Sequence, residues 1–156
     1  MIRVGQGFDV HAFGDASRPL VLGGVVFDGE RGLAGHSDAD VIAHACADAL
    51  LSACGLGDLG EQFPDTDEQW RDADSLVLLQ QVMSRIRDAG WSPVNVDCSV
   101  VCETPKIAPR REEMSERWSE VVRAPVSVKG KRAEGLGALG RREGIACWAV
   151  ALVERP

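Results

Sequence analysis

The sequence of residues 35–53 is Gly-His-Ser-Asp-Ala-Asp-Val-Ile-Ala-His-Ala-Cys-Ala-Asp-Ala-Leu-Leu-Ser-Ala. Its apolar residues recur with the period of a helix, which predicts a helix over roughly residues 38–53 with Ser37 as its N-cap. His44 and Asp48 are four residues apart, so they share a second, polar face of that helix. We therefore expect a helix with one face packed against the core and a second face that carries functional side chains.

Further strands and helices are predicted on both sides of this helix. Residues 94–102 alternate between apolar and polar side chains, which is typical of a strand with one buried face. Residues 145–153 are apolar at nearly every position, so we expect the last strand to be covered on both faces. The other predicted elements are a first strand at residues 2–4 that loosens at residues 5–8, a strand or hairpin with a glycine break at 20–27, a loop rich in glycine and aspartate at 55–70, helices at 74–89 and 109–123, and a short strand at 126–128.

The chain of 156 residues is long enough for one domain with a core of its own. Strands mixed with three main helices predict an α/β fold, and more closely an α+β layer sandwich. In it, a mixed four-stranded sheet carries the three helices on one face. No repeat or linker divides the sequence, so we expect a single catalytic domain over residues 1–156.

Composition narrows the functional class. The formal net charge of −7 at pH 7 argues against nucleic acid as a partner. No apolar run is long enough to span a membrane, so we expect a cytoplasmic protein without a membrane partner. The 5 cysteines show no CxxC spacing, which disfavours a disulfide framework and a thiolate zinc site. Acidic residues predominate over residues 1–68 and basic residues over 103–143, which would suit a metal ion with an anionic substrate, or simply solvated faces.

The 3 histidines of the chain fall in two segments that predict a metal site. Asp9 and His11 are two residues apart, so in an extended segment their side chains point the same way. His44 from the predicted helix would complete a set of three nitrogen and oxygen ligands. Three protein ligands leave a fourth tetrahedral position open, which is typical of catalytic zinc. An exposed hydrogen-bonded Asp9–His11 pair is the alternative for this motif alone.

Several uncommon motifs follow one another along the chain. They are Gly7-Phe8-Asp9-Val10-His11, Gly35-His36-Ser37-Asp38-Ala39-Asp40-Val41, Leu56-Gly57-Asp58-Leu59-Gly60, Phe63-Pro64-Asp65-Thr66-Asp67, Pro105-Lys106, Glu134-Gly135-Leu136-Gly137 and Gly140-Arg141-Arg142-Glu143-Gly144-Ile145-Ala146. In this order, and over nearly the whole length, the sequence resembles the 2-C-methyl-D-erythritol 2,4-cyclodiphosphate synthase family.

The resemblance implies an enzyme of non-mevalonate isoprenoid biosynthesis, a phosphorus–oxygen lyase. Its substrate would be 4-diphosphocytidyl-2-C-methyl-D-erythritol 2-phosphate, whose 2-phosphate attacks the β-phosphorus of the same molecule. The products would be the cyclic diphosphate and CMP. The resemblance also implies a homotrimer with active sites between neighbouring subunits.

The resemblance assigns the site residues as well. It implies Zn²⁺ on Asp9, His11 and His44, and Mg²⁺ or Mn²⁺ on Glu134 with the substrate phosphates. His36, Arg132 and Glu134 stand at the catalytic positions, with His36 donating to a phosphate. The substrate-binding positions are Asp9, Val10, His11, His36, Ser37, Asp58, Leu59, Gly60, Phe63, Pro64, Asp65, Thr66, Asp67, Cys102, Glu103, Thr104, Pro105, Lys106, Ile107, Ala108, Lys131, Arg132, Ala133, Glu134, Ala138 and Arg141.

Within this set, residues 58–67 would line the methylerythritol pocket, unless their carboxylates only stabilise turns. Residues 102–108 would cradle the cytidine, with Lys106 near the phosphates. His36 could instead be a helix cap or a core hydrogen-bonding group. Asp48 is our candidate for the group that orients His44, since ligating histidines usually need such a partner; a plain surface carboxylate is the alternative.

The sequence departs from the family pattern at two places. The family commonly has Thr-Thr-Thr-Glu where this chain has Lys131-Arg132-Ala133-Glu134. Arg132 therefore stands where a threonine hydroxyl is expected, and its guanidinium could either bind the same phosphate or point elsewhere. Ala138 stands where an aromatic residue usually lines an apolar channel on the trimer axis, beside Arg141, so an isoprenoid diphosphate in that channel is less expected here.

Two other functions remain open on the sequence alone. A metal-dependent phosphohydrolase would admit water in place of the 2-phosphate and give linear products. A catalytically silent homologue would bind isoprenoid diphosphates or a partner enzyme. The altered segment at residues 131–133 favours the silent homologue, whereas the complete set of zinc ligands and Glu134 favours the synthase.

Overall fold

The computed structural model describes residues 1–15 and 17–156. Its centre is a mixed four-stranded sheet with the strand order β1–β6–β4–β5. Strand β6 pairs antiparallel with β1 and β4, whereas β4 and β5 are parallel. The strands of this sheet are β1 (Ile2–Ala12), β4 (Ser92–Val101), β5 (Val126–Lys131) and β6 (Gly144–Glu154), and a separate hairpin is formed by β2 (Pro19–Leu22) and β3 (Val25–Arg31). The predicted mixed four-stranded sheet is confirmed.

Three main helices pack on one face of this sheet, as predicted. Helix α1 (Val41–Cys54) lies on β1 and β6, helix α4 (Arg111–Val122) lies on β5, and α3 (Ser75–Asp88) packs against both helices. Two one-turn helices, α2 (Leu59–Gln62) and α5 (Gly137–Gly140), and two 3₁₀ turns lie in the connections. None of the described helices is long and apolar enough to cross a bilayer.

The start of α1 differs from the sequence prediction. The N-cap is Asp40 and not Ser37, and its carboxylate accepts from the amides of Ile42 and Ala43 at 3.1 and 3.2 Å. The same carboxylate accepts from the amides of Gly23 and Gly24 at 2.8 and 2.6 Å, in the turn between β2 and β3. Burial, aided by the nearby charge of Asp38, raises the pKa of Asp40 to about 6. One buried carboxyl group therefore joins the hairpin to the helix.

Strand β1 is longer than predicted. The sequence pattern of a strand is interrupted at Gly5 and Gly7, and the packing of α1 requires glycine at both positions. A Cβ on Gly5 would lie 2.1 Å from the carbonyl oxygen of Ala49, and one on Gly7 would lie 1.9 Å from that of Ala45. The helix backbone thus rests directly on the strand. The apolar pattern breaks at these glycines although the strand continues to Ala12, and this continuation carries the Asp9–His11 pair.

The loop expected at residues 55–70 is also more regular than predicted. It contains α2 and the 3₁₀ turn Glu68–Trp70. Asp58 caps α2 by accepting from the Glu61 amide at 2.8 Å, and Asp67 caps the 3₁₀ turn by accepting from the Gln69 amide at 3.1 Å. Two of the three aspartates that suggested an irregular loop, Asp58 and Asp67, are therefore helix caps.

The outer face of the sheet is apolar and uncovered in the single chain. Trp148 and Val150 of β6 are 40% and 47% exposed, so the prediction that the last strand is covered on both faces is wrong for one copy. None of the described helices packs on this side. Val4, Phe8 and Val10 of β1 extend the same exposed surface, and Phe8 stacks on Trp148 with ring centroids 4.8 Å apart. We call these five residues the outer apolar face.

Substituting Gly7→Ala should force α1 away from β1. The added Cβ meets backbone atoms, which cannot move as a flexible side chain would, so we expect a loss of about 1–3 kcal/mol in the free energy of unfolding, measured by urea denaturation. Ser52→Ala, at an exposed position of α1, is the control and should change stability little. Equal stability of the two variants would contradict the direct contact between helix and strand.

Candidate active site

Strand β1 and helix α1 bring the three predicted metal ligands together. Asp9 Oδ2 lies 2.9 Å from His11 Nε2 and 2.9 Å from His44 Nδ1, and the two ring nitrogens are 3.2 Å apart. In a tetrahedral zinc site with bonds of about 2.0–2.1 Å, neighbouring ligand atoms are roughly 3.3 Å apart. The spacing and the two-nitrogen, one-oxygen donor set therefore fit a zinc ion.

The hydrogen bond on the far side of His11 supports this assignment. His11 Nδ1 lies 2.6 Å from the carbonyl oxygen of Ala34, which can only accept, so Nδ1 carries the proton. In the neutral ring, the Nε2 lone pair then faces the Asp9 carboxylate. Two acceptors at this distance need a cation or an additional proton between them, so the cluster is built to hold a positive charge.

Protonation of the metal-free cluster follows the same physics. Burial alone would raise the pKa of Asp9, but its contacts with the imidazole rings of His11 and His44 outweigh burial and hold that pKa far below its usual range. Burial alone would lower the pKa of His11, but the hydrogen bond to Asp9 and the charge of Asp9 raise it. A proton on His11 thus occupies the place that a metal ion would take, and would compete with it.

The surroundings of His44 correct one prediction. Asp48 does not orient the ring; its carboxylate accepts from the Leu59 amide at 2.7 Å and so fixes the start of α2. His44 Nε2 lies instead 3.1 Å from Ser37 Oγ and 3.4 Å from Ser75 Oγ. Asp48 and His44 share a helix face, as predicted, but the loop that follows α1 takes the carboxylate.

A cavity of about 270 Å³, which we call the metal cavity, opens beside the cluster. Its lining residues are His11, Gly35, His36, Ser37, His44, Leu59, Gly60, Phe63, Asp65, Trp70 and Leu78. Among the predicted substrate residues, Asp58 and Asp67 cap local turns, and Pro64 and Thr66 do not line the cavity. The lining residues that were not predicted are Gly35, Trp70 and Leu78. Trp70 packs edge-on against Phe63 with ring centroids 5.0 Å apart, and an aromatic residue at the end of a polar loop was the available signal.

A second cavity of about 400 Å³ lies at the ends of the parallel strands β4 and β5, and we call it the strand-end cavity. Its lining residues are Cys102, Glu103, Pro105, Lys106, Ile107, Ala108, Gly130, Lys131 and Arg132. Nearly all of the predicted cytidine segment is therefore gathered here. The exception is Thr104, whose hydroxyl donates to Glu30 at 3.4 Å. Gly130 was not predicted; any Cβ there would lie 2.7 Å from the Ile107 side chain.

Arg132 lies at the rim of the strand-end cavity and pairs with Glu103. Its Nη2 and Nε donate to Glu103 Oε2 at 2.9 and 3.2 Å, and Glu103 Oε1 accepts from the Gly135 amide at 3.3 Å. The guanidinium is thus turned toward this pair, with 65% of the Arg132 side chain exposed. One carboxylate holds the chain on both sides of Glu134.

The remaining predicted residues lie on the turns after β5. Glu134 has a φ of 53° and is not part of the Asp9–His11–His44 cluster of this chain. The Ala133 carbonyl accepts from the Leu136 amide at 2.9 Å, Ala138 lies in α5, and Arg141 donates to Glu143 at 2.6 Å. The metal cavity and the strand-end cavity share no lining residue.

The sequence matches that of known proteins over almost their full length. The model of the YgbB family matches residues 2–154. A protein of Bordetella petrii named 2-C-methyl-D-erythritol 2,4-cyclodiphosphate synthase is 53% identical over 156 residues, which cover 98% of this chain and 96% of the relative. A protein of Rubrobacter xylanophilus with the same name is 56% identical over 158 residues, which cover 98% and 95%.

Two solved structures extend the comparison. The bifunctional IspDF of Campylobacter jejuni superposes with a TM-score of 0.95 at 38% identity, and the match covers 100% of this chain and 43% of that one. The IspF of Plasmodium falciparum in complex with CDP superposes with a TM-score of 0.85 at 33% identity, covering 99% and 96%.

Metal affinity should fall as the pH is lowered from 8 to 6. The hydrogen bond to Asp9 and the charge of Asp9 raise the pKa of His11 above its usual range despite burial, so His11 gains its proton at a higher pH than a free imidazole and must release it before a metal ion can bind. Competition with a chelator of known pH dependence measures the zinc dissociation constant at each pH. An affinity that stays constant over this range would contradict proton competition at His11.

Proposed function

The chain belongs to the YgbB family, and we propose that it converts 4-diphosphocytidyl-2-C-methyl-D-erythritol 2-phosphate to 2-C-methyl-D-erythritol 2,4-cyclodiphosphate and CMP, a step of non-mevalonate isoprenoid biosynthesis. It is thus a phosphorus–oxygen lyase, with residues 1–156 as one catalytic domain. The observation that carries the proposal is the convergence of Asp9, His11 and His44 beside a cavity lined by His36 and Ser37. A cytoplasmic location belongs to the same proposal, because the reactants are small phosphorylated metabolites.

The main requirement of this reaction is that the protein positions the two reacting groups of the substrate. The attacking 2-phosphate and the β-phosphorus belong to one molecule, so the protein has to hold a bent conformer in which they meet. Positioning of this kind can lower a barrier by roughly 7–11 kcal/mol in favourable cases. Because no bond to the protein has to form or break, a rigid pocket with well-placed cations and donors is sufficient.

Charge stabilisation is the second requirement, since two anionic phosphates must approach. Asp9, His11 and His44 would hold Zn²⁺, and Glu134 with the substrate phosphates would hold Mg²⁺ or Mn²⁺. These ions would supply Lewis acidity at the phosphates and neutralise the charge that develops on the leaving CMP. His36 and Ser37, which line the metal cavity, would donate to the attacking phosphate.

In this proposal, each of the two cavities binds a different part of the substrate. The metal cavity takes the methylerythritol unit, with Leu59, Gly60, Phe63 and Asp65 around it. The strand-end cavity takes the cytidine, with Lys106 near the phosphates. The CDP complex of the similar Plasmodium falciparum protein supports a cytidine nucleotide as the ligand.

The segment at residues 131–134 binds the diphosphate in this proposal. Lys131 and Arg132 lie at the strand-end cavity and carry positive charge, and Ala133 and Glu134 follow in the same turn. The pairing of Arg132 with Glu103 favours a role in ordering this turn over direct action at the phosphorus.

The outer apolar face supports a homotrimer. Val4, Phe8, Val10, Trp148 and Val150 form a contiguous apolar surface on a chain that has no helix to cover it among the described elements. Surfaces of this kind usually mark an interface. Three copies that pack these faces together would bury them, and would bring the metal cavity of one copy to the strand-end cavity of its neighbour. Ala138 and Arg141 would then face the trimer axis.

Product analysis tests the reaction directly. With zinc and magnesium present, the purified chain should release CMP and the cyclic diphosphate in equal amounts, measured by mass spectrometry. His44→Ala should lose zinc and lower the rate at least about a hundredfold, whereas Ser84→Ala, on an exposed part of α3, should be as active as the original chain. Linear products would favour the phosphohydrolase, and no product a silent homologue.

The oligomer can be tested by placing a charge on the outer apolar face. Trp148→Asp should convert the trimer to smaller species, because three carboxylates cannot be buried together without partners. Light scattering after gel filtration gives the mass, and the cyclisation rate should fall with it. Val77→Asp, at an exposed apolar position of α3 on the helical side, is the matched control and should stay trimeric.

A further inference from the structure

A buried serine at the start of α3 contacts the side of the His44 ring that faces away from the metal cluster. Ser75 is 2% exposed, and its Oγ lies 3.4 Å from His44 Nε2. Ser75 begins α3, whose Leu78 also lines the metal cavity. The two groups are brought together by the fold, since 31 residues separate them along the chain.

Asp38 fixes the direction of this contact. Its Oδ1 accepts from the Ser75 hydroxyl, and its Oδ2 accepts from the Ser75 amide at 2.9 Å. A carboxylate offers no proton, and a serine hydroxyl has only one. With that proton committed to Asp38, Ser75 Oγ can interact with His44 only as an acceptor.

The consequence is a defined tautomer of His44. Ser75 can accept from the ring only when the proton is on Nε2, and in that tautomer Nδ1 keeps its lone pair. Nδ1 is the atom that lies 2.9 Å from Asp9 Oδ2 and 3.2 Å from His11 Nε2. The opposite tautomer would point an N–H into the metal position.

Ser37 differs from Ser75 although it lies slightly closer to His44 Nε2, at 3.1 Å. Its Oγ also accepts from the Ala39 amide at 3.3 Å, and among the described hydrogen bonds its own proton is not committed to a carboxylate. Ser37 also lines the metal cavity, so its hydroxyl remains free to donate to a ligand there.

We propose that Ser75, held by Asp38, is the positioning residue that selects the metal-binding tautomer of His44 and fixes the orientation of its ring. The proposal rests on the proposed function only in taking zinc as the occupant of the Asp9–His11–His44 cluster. Partners of this kind on ligating histidines typically change metal affinity 10–100-fold when they are removed. Because Asp38 also accepts from the Asp40 amide at 3.1 Å, the same carboxylate ties the start of α3 to the segment leading into α1.

Zinc affinity of the full chain is the first test. Ser75→Ala should raise the zinc dissociation constant about 10–100-fold at pH 8, measured by chelator competition. Ser84→Ala, in the same helix but exposed, should leave it unchanged, and Ser37→Ala should raise it less than Ser75→Ala does. Wild-type zinc affinity in a folded Ser75→Ala protein would overturn the proposal, as would a chain that binds no zinc at all.

The tautomer itself is the second test, and it does not depend on metal or on activity. Nitrogen-15 shifts of the His44 ring in the metal-free chain at pH 8 should report a proton on Nε2. Asp38→Asn can turn an amide N–H toward Ser75 and so free the serine proton for His44 Nε2. The shifts should then move toward the Nδ1-protonated form, and zinc affinity should fall. Unchanged His44 shifts in Asp38→Asn would overturn the proposal even if Ser75→Ala failed to fold.

These outcomes separate the proposal from the reaction. A chain that forms the cyclic diphosphate while Ser75→Ala retains zinc affinity and His44 shifts would keep its function and lose this role for Ser75. A chain that forms no cyclic product, but shows the affinity loss and the shift change, would keep the role and lose the function.

Discussion

Direct contact between the backbones of β1 and α1 is the constraint on which the active site depends. Gly5 and Gly7 have no side chains to hold the helix away, and the facing positions of α1 are alanines. The helix therefore approaches close enough for His44 to reach the side of β1 that carries Asp9 and His11. A bulkier residue at Gly5 or Gly7 would push α1 away from β1. It would thereby separate His44 from the two ligands on the strand. The metal geometry is thus determined by packing as much as by the ligands themselves.

Two neighbouring aspartates build the segment that leads into α1. Asp40 joins the turn between β2 and β3 to the helix start through four amide hydrogen bonds, which offset much of the cost of its burial. Asp38 joins the same segment to α3. Because both carboxylates satisfy backbone donors, they hold the His36–Ser37 wall of the metal cavity without occupying it. Asp38 and Asp40 are therefore structural residues of this segment and are not part of the Asp9–His11–His44 cluster.

The sequence predicted the fold correctly where one hydrophobic pattern extended over a whole helix or strand. The alternation of β4, the apolar run of β6 and the spacing of α1 and α3 each gave the right element, and the family resemblance agreed with the metal cluster. The extent of β1 was hidden because its helix contact requires glycines, which carry no pattern. The N-cap was misassigned because Ser37, Asp38 and Asp40 are all good caps, and only the Gly23–Gly24 amides decide among them. Ser75 could not be found from the sequence, because its neighbour is distant along the chain.

The absence of any shared lining residue between the two cavities has a genetic consequence. In an assembly where each active site draws one cavity from each of two copies, a chain damaged at the metal cavity and a chain damaged at the strand-end cavity still form an intact site where their sound halves meet. Two alleles, each inactive alone, would complement one another in a cell that expresses both. Conversely, a single chain damaged in both halves would impair two sites of such a mixed assembly, whereas a chain damaged in one half would impair only one.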